Sequence, residues 1–268
     1  MLAILFAAGL IAGVIDAIAG GGGLITLPVF ALVLPGGLGP EAIGTNKIAG
    51  LVAALAALGV YAKGGHLDWK RAGRFALLVG LGALAGSTAS PWVPVFGFKI
   101  FLAVSCPVIL WVVWNRPLWI ERGAAGVSTR FRLPLEVNGL ICGLYDGIWG
   151  PGGGTFMFLA LFLGSGLPLL QSLAASKLAN ALSAGASLAN FAYGGYVRWN
   201  IGMILAAGIL IGSVAGAALA TRNAARIVRP VLAIVAILLM VRMLLKTSVE
   251  HSGVEPLTST MPSWRSTN

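Results

Sequence analysis

Two aspartates and two lysines carry most of the chemistry that this sequence offers. Asp16 and Asp146 each stand at the end of a long apolar run, and Lys47 and Lys177 each follow 31 residues later. A carboxylate at membrane depth costs about 2.5–3.5 kcal/mol or more on insertion scales, so it faces a cavity or a partner. An Asp beside a glycine turn can also cap free backbone N–H groups, and the two roles are compatible. Asp16 and Asp146 are therefore candidate coupling residues, holding the turn or carrying a proton. The lysines can hold an anion, pair with the aspartates, or extend to phosphate headgroups at the bilayer surface.

Each aspartate leads into a glycine cluster. The first is Gly20, Gly21, Gly22 and Gly23; the second is Gly150, Gly152, Gly153 and Gly154, interrupted by Pro151. Each Gly costs about 1 kcal/mol against Ala in a helix interior, so a helix break is expected at both places. A helix starting after such a break presents unpaired N–H groups that favour negative charge. Two facing clusters would form an anion site, with Thr26 and Thr155 adding hydroxyl donors. The plainer reading is that the glycines let helices cross closely. Thr45 and Asn46 precede Lys47, and Ser176 precedes Lys177. Asn46 and Ser176 are expected to cap the helices that follow. Asn180 is a further polar residue expected to line the site. No GK[ST] follows either cluster, so neither is a nucleotide-binding loop.

The same residues argue against catalysis. His66 falls in a loop and His251 in the tail, which leaves no intramembrane His for a metal, a haem or a nucleophile's base. There is no HExxH and no Walker motif. The expectation is no catalytic residue, no metal, no cofactor and no enzyme.

The elements that must position these groups are read from composition. Of 268 residues, 58% are hydrophobic and 10% are charged, with a mean hydropathy of +0.92. That is too few polar groups to cover a soluble surface. Residues 17–40, 75–98, 147–176, 178–197 and 199–221 carry no Asp, Glu, Lys or Arg. A helix spans a bilayer with about 20 apolar residues, and these runs lack the alternation of a membrane β-barrel. The fold class is therefore an all-α polytopic membrane protein with about eight transmembrane helices. The net charge of +10 sits between apolar runs and serves orientation against the cytoplasmic face rather than nucleic-acid binding. Residues 2–15 look like a secretory signal but lack a basic lead. Cys106 and Cys142 lie in apolar runs and read as small core residues.

The chain is also a duplication. GLIAGVIDAIAGGGG at 9–23 and GLICGLYDGIWGPGG at 139–153 are identical at nine of 15 positions, at an offset of 130. The offset also matches Lys47 with Lys177, Trp69 with Trp199, and Gly82 and Gly86 with Gly212 and Gly216. The boundaries are 1–115 for the first transmembrane repeat, 116–134 for a basic connecting loop, 135–246 for the second repeat and 247–268 for a disordered tail. Each repeat holds a Gly-broken first helix and further apolar runs, about 43–62, 75–98 and 100–115, then about 175–193, 201–220 and 230–245. Parallel and inverted repeats both fit, because the basic residues divide equally well either way. Repeated halves around one central site are a plan of secondary transporters. An uncoupled anion channel and a non-transport assembly factor fit the same pattern.

GVIDAIAGGGGLITLP at 13–28, AIGTNK at 42–47 and GLYDGIWGPGGGT at 143–155 resemble the TauE/SafE family of sulfite exporters, from residue 1 to about 246. The G-T-N-K form is similar to one widespread branch of it. The resemblance implies a multi-pass permease of the bacterial inner membrane. Its cargo would be a small anion, sulfite or an organosulfur anion, moved outward. Its partners would be that anion and the lipid bilayer.

Overall fold

The structure is a computed structural model that describes residues 2–34, 40–90, 134–165 and 167–251. The expected run 100–115 with Cys106, nearly all of the connector 116–134 and residues 252–268 lie outside the described residues. Every regular element among the described residues is helical. The helices are α1 (Leu2–Ala19), α2 (Gly23–Val33), α3 (Pro40–Lys63), α4 (Trp69–Ala89), α5 (Leu135–Ile148), α6 (Gly153–Leu159), α7 (Leu169–Tyr193) and α8 (Trp199–His251). A π-helical turn, Ala160–Gly164, continues α6. Asn223 has non-helical dihedrals and divides α8 into two helices across a kink. By length and composition α1, α3, α4 and the Trp199–Ala224 part of α8 can each cross a membrane.

Sequence explains where these helices start and stop. Ala, Leu and Ile dominate them, which lose little freedom in a helix or gain from apolar surroundings. Asp68 caps α4, its Oδ1 accepting from the N–H groups of Lys70 (3.1 Å) and Arg71 (3.3 Å). Gly65 and Gly195 close the α3–α4 and α7–α8 hairpins at φ +73° and +74°, a conformation that suits glycine. Trp69 and Trp199, each the first residue of its helix, are 64% and 52% exposed, as interfacial anchors would be.

Two helix starts correct the capping reading: α3 begins at Pro40 and α7 at Leu169, ahead of the apolar runs that start near 43 and 175. Polar first turns are helical too, because a span extends past the hydrocarbon. Asn46 and Ser176 therefore lie inside α3 and α7 and cap neither. Ser176 Oγ instead donates to Leu173 O within its own helix, at 2.8 Å.

Glycine stripes set the packing. α1 and α8 run parallel with backbones in contact: a methyl group on Gly9 would collide with Leu205 O, and one on Gly13 with Ile209 O. α4 and α5 pack in the same way, with Gly82 against Leu140 O and Gly143 against Val79 O. Van der Waals packing of small residues replaces the hydrophobic effect as the source of helix association in lipid. α3 and α7 run antiparallel, since Gly44 lies against Phe191 while Gly50 lies beside Ala184. Ile4, Leu32, Leu81 and Ile211 stand exposed on the outer faces of their helices, as lipid-facing residues would.

Candidate functional site

The expected breaks occur at both glycine clusters. α1 stops because Gly20 adopts φ +80°, and α5 stops at the matching Gly150, φ +85°. Gly20 N–H donates to Asp16 O (2.7 Å) as the helix closes. The chain then doubles back, so that Gly22 lies against Ala12 O and the Asp16 side chain. Its N–H donates to Asp16 Oδ1 at 3.2 Å. Asp16 thus caps the turn, and the N–H expected to be open at Gly22 is already paired.

The two clusters meet. A methyl group on Gly20 would collide with the carbonyl carbon of Gly154, so the turn of one half rests on the start of α6 in the other. Thr155 Oγ1 fastens the junction by donating to Ala19 O at 2.7 Å.

Both lysines are buried, Lys47 4% exposed and Lys177 1%, which overturns the headgroup reading. They pair across the sequence halves. Lys47 Nζ lies 3.0 Å from Asp146 Oδ2, and Lys177 Nζ lies 2.9 Å from Asp16 Oδ2. Each ammonium also donates to the backbone carbonyl of its own aspartate partner, Lys47 to Asp146 O at 2.6 Å and Lys177 to Asp16 O. Those carbonyls belong to the last turns of α5 and α1, where the helix dipole favours a cation. Removing one partner of such a pair costs about 3–5 kcal/mol, because the other charge is left buried. The four side chains together carry no net charge.

A small cavity of about 30 Å³ lies between the clusters, room for about two waters. The α1 turn contributes Asp16, Gly20 and Gly23 to its wall, and α3 contributes Asn46, Lys47 and Gly50. The α5 turn contributes Asp146, Gly150, Gly152 and Gly154, and α7 contributes Asn180 and Ala184. Eight residues expected at the site are elsewhere or committed. Gly21 packs on Val235, Gly22 on Asp16 and Gly153 on Asp146. Thr45 Oγ1 accepts from Arg198 N at 3.0 Å, Thr26 Oγ1 donates to Asn46 Oδ1, and Thr155 and Ser176 hold backbone carbonyls. Lys177 lies behind the wall, against Asp16.

Three contributors were missed from sequence. Ser183 Oγ donates to Asp146 Oδ2 at 2.5 Å. Gly50 and Ala184 line the cavity. Helical spacing could have found two of them: Gly50 lies three residues beyond Lys47, and Ala184 seven beyond Lys177, each on the lysine's own face.

A family model described as sulfite exporter TauE/SafE matches residues 5–243. A Sinorhizobium protein described as probable membrane transporter protein ORF9 is 35% identical over 245 residues, covering 91% of this chain and 92% of that one. A probable membrane transporter protein of Haemophilus influenzae is 33% identical, covering 91% and 94%. The Escherichia coli K12 protein described as probable membrane transporter protein YfcA is 28% identical, covering 91% and 90%. No solved structure matches.

Proposed function

We propose, on the premise that the chain belongs to the sulfite exporter TauE/SafE family, that it is a secondary permease of the bacterial inner membrane. Its cargo is a small anion, sulfite or an organosulfur anion, carried outward. The observation that carries this reading is the pair of buried Lys–Asp bridges flanking a polar cavity where two broken helices meet. Buried charges are costly, and in a membrane they mark a substrate or ion pathway.

The architecture that fits is two repeats with about eight long spans. Of the described helices, α1, α3 and α4 fall in one half and α5, α7 and both parts of α8 in the other. α2 and α6 are short returns from the glycine turns. The antiparallel course of α3 and α7, which hold the same place in their halves, favours inverted repeats. Inverted halves exchange roles between inward-facing and outward-facing states, and broken helices place the site at the bilayer midplane. A cavity of about 30 Å³ is then a closed state that must widen to take the anion.

Efflux of labelled sulfite and sulfoacetate from proteoliposomes tests the reading. Saturable flux that is lost in Lys47→Gln supports it. Conductance under voltage clamp at rates far above about 10³ per second would mark a channel instead, since carriers turn over no faster than the usual catalytic range. Absence of flux for every anion tried would end it.

A further inference from the structure

The two charge pairs are matched in sequence but differ in what surrounds them. Asp16 is held by Lys177 on one oxygen and by Gly22 N–H on the other. Lys177 is 1% exposed and takes no part in the cavity wall, so this pair presents only its carboxylate, Asp16, to the cavity. Lys47 does line the cavity, and its two partners, Asp146 O and Oδ2, account for two of its three ammonium hydrogens. On α7, which runs opposite the helix of Lys47, stands Asn180, 7% exposed and facing the same cavity. Among the described residues it has no hydrogen-bond partner, although a buried amide is expected to have one. Its counterpart in the first half is Gly50, so only one side of the cavity carries this amide.

We infer that the pairs divide the work. Lys47 and Asn180 form the anion-recognising face, and Lys177–Asp16 is a fixed lock on the glycine turn. The cargo this face suits is a small oxyanion, one oxygen on the Lys47 ammonium and another on the Asn180 amide N–H. Binding draws Lys47 away from Asp146, which keeps Ser183 as donor. The inference rests on the transport reading above, but its test has a readout that does not need transport.

The test uses Asn180→Cys in a chain whose Cys106 and Cys142 are replaced by alanine. The rates of modification by an anionic and a cationic methanethiosulfonate of similar size are compared. The anionic reagent should react faster, and sodium sulfate, a small oxyanion that does not attack the reagent, should slow it. Lys47→Gln should lower the anion-to-cation rate ratio about tenfold or more, the loss expected for one charged hydrogen bond. Because Asp16 lines the cavity, the lock is removed as a neutral pair: Asp16→Asn with Lys177→Gln should leave the ratio unchanged. In the unmodified chain, Asn180→Leu should raise the KM for sulfite about tenfold without lowering the Tm, since the amide has no internal partner to lose. An equal fall in the ratio in Lys47→Gln and in the neutral double variant, or a thiol at residue 180 that neither reagent reaches, would overturn the division of roles. A preserved ratio difference in a protein that moves no sulfite would instead remove the export reading and leave this face standing.

Discussion

Gly153 faces Asp146 so closely that a methyl group on its Cα would overlap the carboxylate Oδ1. The glycine there makes room for the charge, since its backbone does not need a left-handed conformation. Gly153→Ala must therefore push the carboxylate off Lys47. Overpacking costs about 1–3 kcal/mol, and a broken buried pair costs about 3–5 kcal/mol. The expected result is a clear fall in the thermal unfolding midpoint in detergent, with flux lost. An unchanged midpoint would show that the α5 turn relaxes freely.

The lock pair should behave as a unit. Lys177→Gln leaves Asp16 buried beside only Gly22 N–H and should destabilise by about 3–5 kcal/mol. The neutral double variant Asp16→Asn with Lys177→Gln should regain much of that loss. Chemical unfolding of the two variants decides it, and a double variant no better than the single would count against charge as the cause.

The glycine stripes should be equivalent. A methyl group added at Gly82 would lie 2.5 Å from Leu140 O, and one at Gly212 would overlap Leu10 O, the same contact 130 residues on. Gly82→Ala and Gly212→Ala should each cost about 1–3 kcal/mol by forcing helices apart. The comparison is of folded yield and midpoint. A large effect at one site and none at the other would break the correspondence.

Topology separates inverted from parallel repeats. The stretch 63–74 carries Lys63, Lys70, Arg71 and Arg74 and belongs in the cytoplasm, as does the basic connector around Gly126. In inverted repeats Gly195, the counterpart of Gly65, lies on the other side. Gly65→Cys and Gly126→Cys should resist an impermeant thiol reagent in intact cells, and Gly195→Cys should react. An added Cβ at either hairpin glycine meets no heavy atom within 4 Å, so the cost of the cysteine is the left-handed backbone alone, about 1–2 kcal/mol. Reaction at both hairpins, or at neither, would support parallel halves.

Sequence by itself determined the class, the duplication and the breaks. Uncharged runs of membrane length are a local property, as is the cost of consecutive glycines in a helix, and α1 and α5 end where that cost predicts. Asp16, Lys47, Asp146 and Lys177 were legible because charge inside apolar sequence is expensive wherever the chain folds. Tertiary structure decided the pairing. Lys47 meets Asp146 across 99 residues and Lys177 meets Asp16 across 161, so each bridge joins one half to the other. No spacing rule reaches that far. It also separated the two lysines, one on the cavity and one behind it, and committed Thr45, Ser176 and Thr155 to backbone partners. Which donor faces a cavity depends on how antiparallel α3 and α7 are set against the glycine turns. That packing is fixed by backbone contacts between helices distant in the chain, and so by the fold as a whole.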